Sequence, residues 1–250
     1  MRLDRRAFLS VVTATTLSGC ARLATALNNN ETFHKVLLAP ERLDLALLGA
    51  GQPLAQEYGP QDISPNFRAN GFDPPSTAQY AQWAKDGWRG YGLQVEGLVE
   101  RPRSYDLATL RTKFAKQAQI TRHDCVEGWS VIGKWSGVRL SDLLADVGVK
   151  PLAQYVIFHS LDSDVMGIPY YESLSLVQAA HPQALIAYDL NDAPVPIKNG
   201  APLRLKVPTQ LGYKSAKYLK RIELVASFAS LGSGNGGYWE DQGYEWYAGI

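Results

Sequence analysis

The residues best equipped for chemistry lie in the stretch Arg122 to Leu144, RHDCVEGWSVIGKWSGVRLSDLL, which contains Cys125. The chain has two cysteines, and the other is Cys20. A thiolate is a soft ligand for copper, zinc, an iron–sulfur cluster or a higher-valent metal, and it is also a nucleophile. Against both stands the commoner fate of a lone cysteine, that of a small buried hydrophobe. His123 shares a face with Cys125 if the backbone is extended, although a single histidine is more often a hydrogen-bonded fixture. No further Cys or His follows at zinc-ligand spacing, which argues against a structural zinc. Around the sulfur, Gly128, Gly133 and Gly137 punctuate the chain, and Leu140, Leu143 and Leu144 fall at helical spacing. The pattern predicts a strand or loop delivering the cysteine, then a turn, then a short helix.

The start of the chain bears on the fate of that thiol. Residues 1–19 pair Arg5 and Arg6 with an apolar run from Ala7 to Leu17. Such a run is too short to cross a bilayer, which takes about 20 residues, and it reads as an export signal. The arginine pair resembles a twin-arginine motif, and Leu17-Ser18-Gly19-Cys20 resembles a lipoprotein box in which Cys20 becomes the lipid-bearing N-terminus. If the signal is cut elsewhere, Cys20 is discarded. On either reading it is no disulfide partner, and Cys125 stands unpaired in an oxidising compartment, where a free thiol is a liability unless buried or committed to a ligand. The twin-arginine route carries proteins already folded around a cofactor, so signal and lone cysteine together point to a cofactor protein. Loss of three arginines and one aspartate with the signal would take the formal charge from +1 to about −1. A near-neutral chain offers no electrostatic case for nucleic acid.

The rest of the chain must position these residues. Residues 20–60 read as a tether and an N-terminal helical segment, residues 61–228 as the main domain, and residues 229–250 as an aromatic, glycine-rich segment. The Pro-, Gly- and Asn-rich stretch from Gln52 to Pro75 predicts an irregular loop carrying Asn66, Phe67 and Arg68, a set suited to a planar anionic ligand. Alternation predicts extended structure from Tyr91 to Glu100, a helix from Tyr105 to Phe114, and strands over 119–125, 155–159, 185–190 and 218–225. Polar residues from Ser160 to Asp164 are expected to leave a strand end where a ligand could sit, and 173–180 to form a capped helical turn. Arg204 after a Gly-Pro loop, with Lys214 and Lys217 beside a glycine turn, could converge on a phosphate; the alternative is a solvated basic edge. Neither a GxGxxG nor a Walker pattern is present.

Four separated motifs carry a resemblance. His-Asp-Cys125-Val-Glu-Gly-Trp-Ser, Gly-Lys-Trp135-Ser-Gly-Val, Asn199-Gly-Ala-Pro-Leu-Arg204 and Gly212-Tyr-Lys-Ser-Ala-Lys217-Tyr-Leu-Lys-Arg-Ile222 are similar to the oxidoreductase molybdopterin-binding domain of the sulfite oxidase superfamily. Within it the chain most resembles the periplasmic branch that includes the catalytic subunit of the protein-methionine-sulfoxide reductase. The resemblance runs from about Ile63 to Val225. It implies an α+β fold of mixed, mostly antiparallel sheets with short helices, and a molybdenum–molybdopterin cofactor with one pterin per chain. It gives Cys125 as the thiolate ligand of molybdenum. It gives Asn199, Arg204, Ser215, Ala216 and Lys217 as the cradle of the pterin and its phosphate, and Ser160 as a hydroxyl residue near the metal. Asn66, Phe67 and Arg68 match the first pterin-contacting loop only loosely, which weakens any transfer of substrate identity. No haem domain and no CxxCH are matched, so no haem is expected in this chain, and electrons would pass to or from a separate partner such as a membrane haem protein.

The implied activity is oxygen-atom transfer in the periplasm, in the direction of reduction of a sulfoxide-type substrate, small molecule or protein. Sulfite-oxidase-like oxidation of a sulfur compound is the alternative within the family. From other classes stand a thiol enzyme pairing Cys125 with His123 or His159, and a non-catalytic ligand-binding lipoprotein. Ser230 to Ile250 holds Tyr238, Trp239, Tyr244, Trp246 and Tyr247, too many aromatics for a solvated tail; they are expected to fold back and line or cover the mouth of the metal pocket, the alternative being a structural clasp packed on a distant face.

Overall fold

The computed structural model describes residues 54–250, so the export signal, Cys20 and the helical pieces expected before residue 51 lie outside the described residues. Ten strands form two five-stranded sheets. The first has the order β2-β1-β10-β5-β6, built from β1 (Leu93–Gly97), β2 (Arg103–Tyr105), β5 (Tyr155–Ser163), β6 (Pro169–Ser175) and β10 (Leu219–Val225). Only β1 against β10 is parallel, with Val95 opposite Ile222; its other pairings are antiparallel. The second sheet runs β3 (Gln117–Asp124), β4 (Ser130–Arg139), β7 (Leu185–Leu190), β8 (Ala193–Pro194), with β9 (Arg204–Lys206) also on β7, all antiparallel. The α+β class with mostly antiparallel sheets is the one expected.

The sequence explains most elements locally. In β7, LIAYDL, every side chain is buried, and the run is apolar because both faces are covered. Among the described residues there are also four short helices: α1 (Ala78–Lys85), α2 (Leu107–Lys113), α3 (Leu140–Val147) and α4 (Leu176–Ala179). The first two are capped by Thr77 and Asp106, whose side chains accept from Tyr80 N and Thr109 N, satisfying donors the helix leaves free. In α3, Leu140, Leu143, Leu144 and Val147 make one buried stripe, and Gly148 at φ 70° ends it in a conformation costly for other residues. Residues of both sheets meet in one core, including Leu93, Val156, Phe158 and Ile222 from the first and Val138, Ile186, Tyr188 and Leu205 from the second. Each such side chain removed from water contributes about 1.5–3 kcal/mol.

Three expectations need correction. The glycine-punctuated run after Cys125 is the ten-residue strand β4 leading directly into α3, because Gly137 provides close approach to β7 rather than a turn. Strand β5 continues through Ser163, so Ser160 to Asp162 lie within the sheet. Residues 173–175 belong to β6, and only the last part of 173–180 is helical, capped by Ser175 and Gln178. The helix α1 follows a Pro-rich stretch, and its start is marked only by Thr77.

A cleft around a single thiol

Cys125 stands at the tip of the β3–β4 hairpin. Its backbone N donates to Trp129 O at 2.9 Å and its carbonyl accepts from Gly128 N at 2.9 Å, closing a tight turn with Gly128 at φ 85°. The sulfur accepts from Asn70 Nδ2 at 3.5 Å. It opens into a cleft of about 140 Å3.

Eight of the residues singled out from the sequence line this cleft: Phe67, Arg68, Cys125, Asn199, Arg204, Ser215, Ala216 and Lys217. Phe67 is wedged edge-on against Trp135 at 5.1 Å, and the Arg68 guanidinium lies over Trp129 at 4.6 Å. Two do not line it. Asn66 is solvent-exposed beside the cleft loop, and Ser160 is buried in β5, two residues before Asp162, which does face the cleft. The reason is register: residues two apart on a strand share a face, but only the later one reaches the opening. Asp162 belongs to the polar stretch from Ser160 to Asp164 expected where a ligand could sit, and it is the member of that stretch that lines the cleft. Asn70 and Gly71, in the same loop as Phe67 and Arg68 and equally suited to a planar anionic ligand, line the cleft too, as do Phe72, Tyr170 and Tyr213.

Arg204 organises the polar wall. Its side chain is buried, donates to Asn199 O and Ser215 O at 2.9 Å each, and stacks over Trp135 at 4.9 Å. One cation therefore ties β9 to the two segments that supply Asn199 and the 215–217 stretch. Lys217 Nζ donates to Phe72 O at 2.8 Å, drawing in the loop of residues 66–72. Behind Arg204, Lys206 is fully buried and donates to Arg122 O at 3.0 Å. None of these three cations makes an ion pair among the described residues. Burial consequently pushes Arg204 down to about 10, Lys217 to about 8 and Lys206 to about 7, with Arg204 lowering both lysines further. Burial pushes the Asp162 carboxyl up to about 7 against the pull of Lys217 and Arg204. Burial, then the Lys206 and Arg204 charges, holds His123 neutral. A buried cation without a counter-ion is costly, and this wall is suited to an anion.

Two further observations test the fit of a pterin–phosphate group. Asn199 Nδ2 is buried with no hydrogen-bond partner, an amide donor aimed at a ligand-sized space. The described residues hold no cluster of three or more His, Cys, Asp or Glu that could bind a metal ion. A metal beside Cys125 would therefore take its remaining ligands from a bound group, which a dithiolene supplies. The residues fit: Cys125 would ligate the metal, and Asn199, Arg204, Ser215 and Lys217 would hold the pterin and its phosphate. The geometry does not favour a thiol–histidine pair. His159 bonds Glu223 at 2.9 Å and does not line the cleft, and the hydrogen bond to the sulfur comes from Asn70.

A polar, cation-lined cleft around one thiol, on two mostly antiparallel sheets, is a site able to hold an anionic cofactor. Comparison with known proteins makes the class specific. The family model "Oxidoreductase molybdopterin binding domain" matches residues 80–230. The chain is 34% identical over 249 residues, 98% of its length and 87% of the relative's, to a protein of Azospira oryzae named as a protein-methionine-sulfoxide reductase subunit, YedZ1. It is 37% identical over 169 residues to the protein-methionine-sulfoxide reductase catalytic subunit MsrP of Ralstonia nicotianae, covering 64% of this chain and half of that one. Among solved structures, the sulfane dehydrogenase SoxCD of Paracoccus pantotrophus matches 55% of this chain and 38% of its own at 22% identity, with a TM-score of 0.49. The chain belongs to the oxidoreductase molybdopterin-binding domain family of the sulfite oxidase superfamily, on the branch of the methionine-sulfoxide reductases. It is a molybdenum-dependent oxidoreductase.

Proposed function

We propose that this chain reduces a sulfoxide-type substrate, with Cys125 as the protein ligand of a molybdenum bound to one pterin. The observation that carries the reading is the convergence of unpaired buried cations and the orphaned Asn199 amide on the cleft that exposes the only thiol of the described residues. The names of its relatives supply the substrate class. When bound, the molybdenum–pterin group supplies the two-electron oxygen-atom transfer, in which the sulfoxide oxygen leaves as water after uptake of two electrons and two protons.

The protein's own part is to bind, orient and shield. Asn199, Arg204, Ser215 and Lys217 hold the anionic end, and Asn70 holds the thiolate by the hydrogen bond to its sulfur, a contact that tunes a metal ligand. Asp162, whose acid form persists to about pH 7, keeps a proton in the cleft lining. Phe72, Tyr213, Trp239 and Tyr244 make an aromatic wall on the far side, suited to the apolar carbons of a sulfoxide. Trp239 and Tyr244 belong to the C-terminal segment, which in this reading covers the mouth. Ser160 would act, if at all, from behind the cleft lining.

Electrons would come from a separate partner, a membrane haem protein in this reading. Export by the twin-arginine route to the periplasm, with a lipid on Cys20, accords with the first 20 residues. No helix among the described residues is long and apolar enough to cross a membrane. The test is to export the protein by that route, then measure turnover of free methionine sulfoxide with a reduced viologen dye and of sulfite with an oxidised acceptor. Sulfoxide-dependent dye oxidation is expected; turnover of sulfite alone would reverse the direction.

A further inference from the structure

Lys214 stands apart from the cations of the cleft. Its side chain is fully buried, and its Nζ lies 2.5 Å from Glu172 Oε1 and 2.5 Å from Glu240 Oε1, both carboxylates also fully buried. The three residues come from three places: Glu172 from the middle of β6, Lys214 from the 3-10 turn Gly212–Lys214, and Glu240 from the 3-10 turn Glu240–Gln242 of the C-terminal segment. Each has a neighbour in the cleft lining. Ser215 follows Lys214, Trp239 precedes Glu240, and Tyr170 lies two residues before Glu172 on the same strand.

The surroundings allow little play. A Cβ on Gly237 would come within 2.1 Å of Glu240 Oε2 and 2.7 Å of Glu172 Oε1. Trp246 Nε1 donates to Ser173 Oγ at 2.7 Å, and the Lys214 ammonium lies 5.5 Å over the Trp246 ring. Tyr238 N donates to Tyr171 O at 2.9 Å, and Tyr213 OH to Glu245 O at 2.7 Å. Burial, reinforced by the facing Glu240, pushes the Glu172 carboxyl well above its ordinary range despite Lys214. Such a cluster is no more stabilising than apolar side chains of the same volume. What it adds is one permitted register, because any other docking leaves a charge buried alone.

We propose that Lys214, Glu172 and Glu240 are a positioning hub that seats the C-terminal segment in one register, so that Trp239 and the Tyr244 ring stacked on it at 5.2 Å form a substrate wall of the cleft that holds Cys125. This rests on the sulfoxide-reductase reading. The hub acts through Trp239 on substrate affinity and leaves the cradle of the cofactor intact.

The test is a double-mutant comparison on the molybdenum-loaded protein with free methionine sulfoxide as substrate. Glu240→Ala should raise KM several-fold with kcat and molybdenum content retained, and Glu240→Gln, which still accepts from Lys214, should restore KM. Trp239→Ala should raise KM similarly, and the Glu240→Ala/Trp239→Ala protein should match Trp239→Ala alone, since both changes remove the same interaction. Multiplied effects in the double variant, or an unchanged KM in either single variant, would overturn the hub. Loss of molybdenum from both Glu240 variants would assign the triad to folding and overturn it equally. Should the wild type turn over no sulfoxide, the function reading fails separately. Amide exchange across residues 236–248 then decides the hub: faster exchange in Glu240→Ala but not in Glu240→Gln supports it, and equal protection in both removes it.

Discussion

At the scale of single residues, what distinguishes Cys125 is its placement: a hairpin tip with one amide donor on the sulfur and unpaired cations across the cleft. The cations divide the labour unevenly. Arg204 holds three backbone carbonyls as well as facing the cleft, whereas Lys217 holds one, so Lys217→Ala is the cleaner probe. Loss of a charge-assisted contact to a buried anion costs about 1.5–3 kcal/mol. Lys217→Ala should therefore lower pterin content on purification while the fold persists, and Arg204→Ala should lower both content and melting temperature. The pH dependence has a definite sign. Lys217 titrates near 8 because burial, then Arg204, disfavours its charge, with Asp162 and Asp73 opposing. Its neutral form favours the cofactor-free fold, an advantage greatest at high pH and lost as pH falls through about 8. Its charged form favours the bound anion, an advantage lost as pH rises through the same value. The gap in melting temperature between loaded and unloaded protein should narrow as pH rises from about 7 to 9; a gap that widens would place Lys217 away from the anion.

At the scale of elements, two close approaches hold the site to the sheets. A Cβ on Gly137 would lie 2.1 Å from Ile186 O, so Gly137→Ala must push β4 from β7 and should cost about 1–3 kcal/mol in denaturant unfolding. A Cβ on Gly212 would lie 2.6 Å from His123 Nε2 and 3.3 Å from Asp124 O. Gly212→Ala should therefore disturb the strand end that presents Cys125, lowering molybdenum content more than stability. Strands with a plain apolar pattern, such as β7 and β10, were legible in the sequence, as was α2, although its start at the Asp106 cap was not. The hairpin around Cys125 was partly so: its glycines look like turn signals, yet Gly133 and Gly137 are close-packing sites inside a long strand, and only contacts between sheets distinguish the two. The motifs singled out Asn199, Arg204 and 215–217, which the fold brings to one cleft. Asn66 and Ser160 fall outside the cleft lining because register and loop path decide which neighbour faces inward, and no local pattern encodes that. Lys214, expected with Lys217 at a phosphate, lies instead outside the cleft lining between Glu172 and Glu240, partners 42 and 26 residues away that no local pattern links to it.

At the scale of the whole molecule, the two sheets share one core and present their loops to a single cleft, and the C-terminal segment closes one side of it with Trp239 and Tyr244. Truncation after Ser230 would also remove Glu240 and leave Lys214 without one of its two carboxylates, so it mixes a substrate effect with a folding one. Tyr244→Ala, half-exposed at the rim, should raise the KM for free methionine sulfoxide with molybdenum content unchanged, as steady-state kinetics and metal analysis would show. The central claim concerns Cys125, and molybdenum K-edge X-ray absorption on purified wild type and Cys125→Ser tests it most directly. A hydroxyl is a harder and less acidic ligand than a thiol, while Arg204, Lys217 and Asn199 remain to hold the pterin. The account predicts that the variant keeps its pterin, loses nearly all turnover and shows one sulfur fewer around the metal. An unchanged sulfur count, or wild-type turnover in the variant, would contradict it.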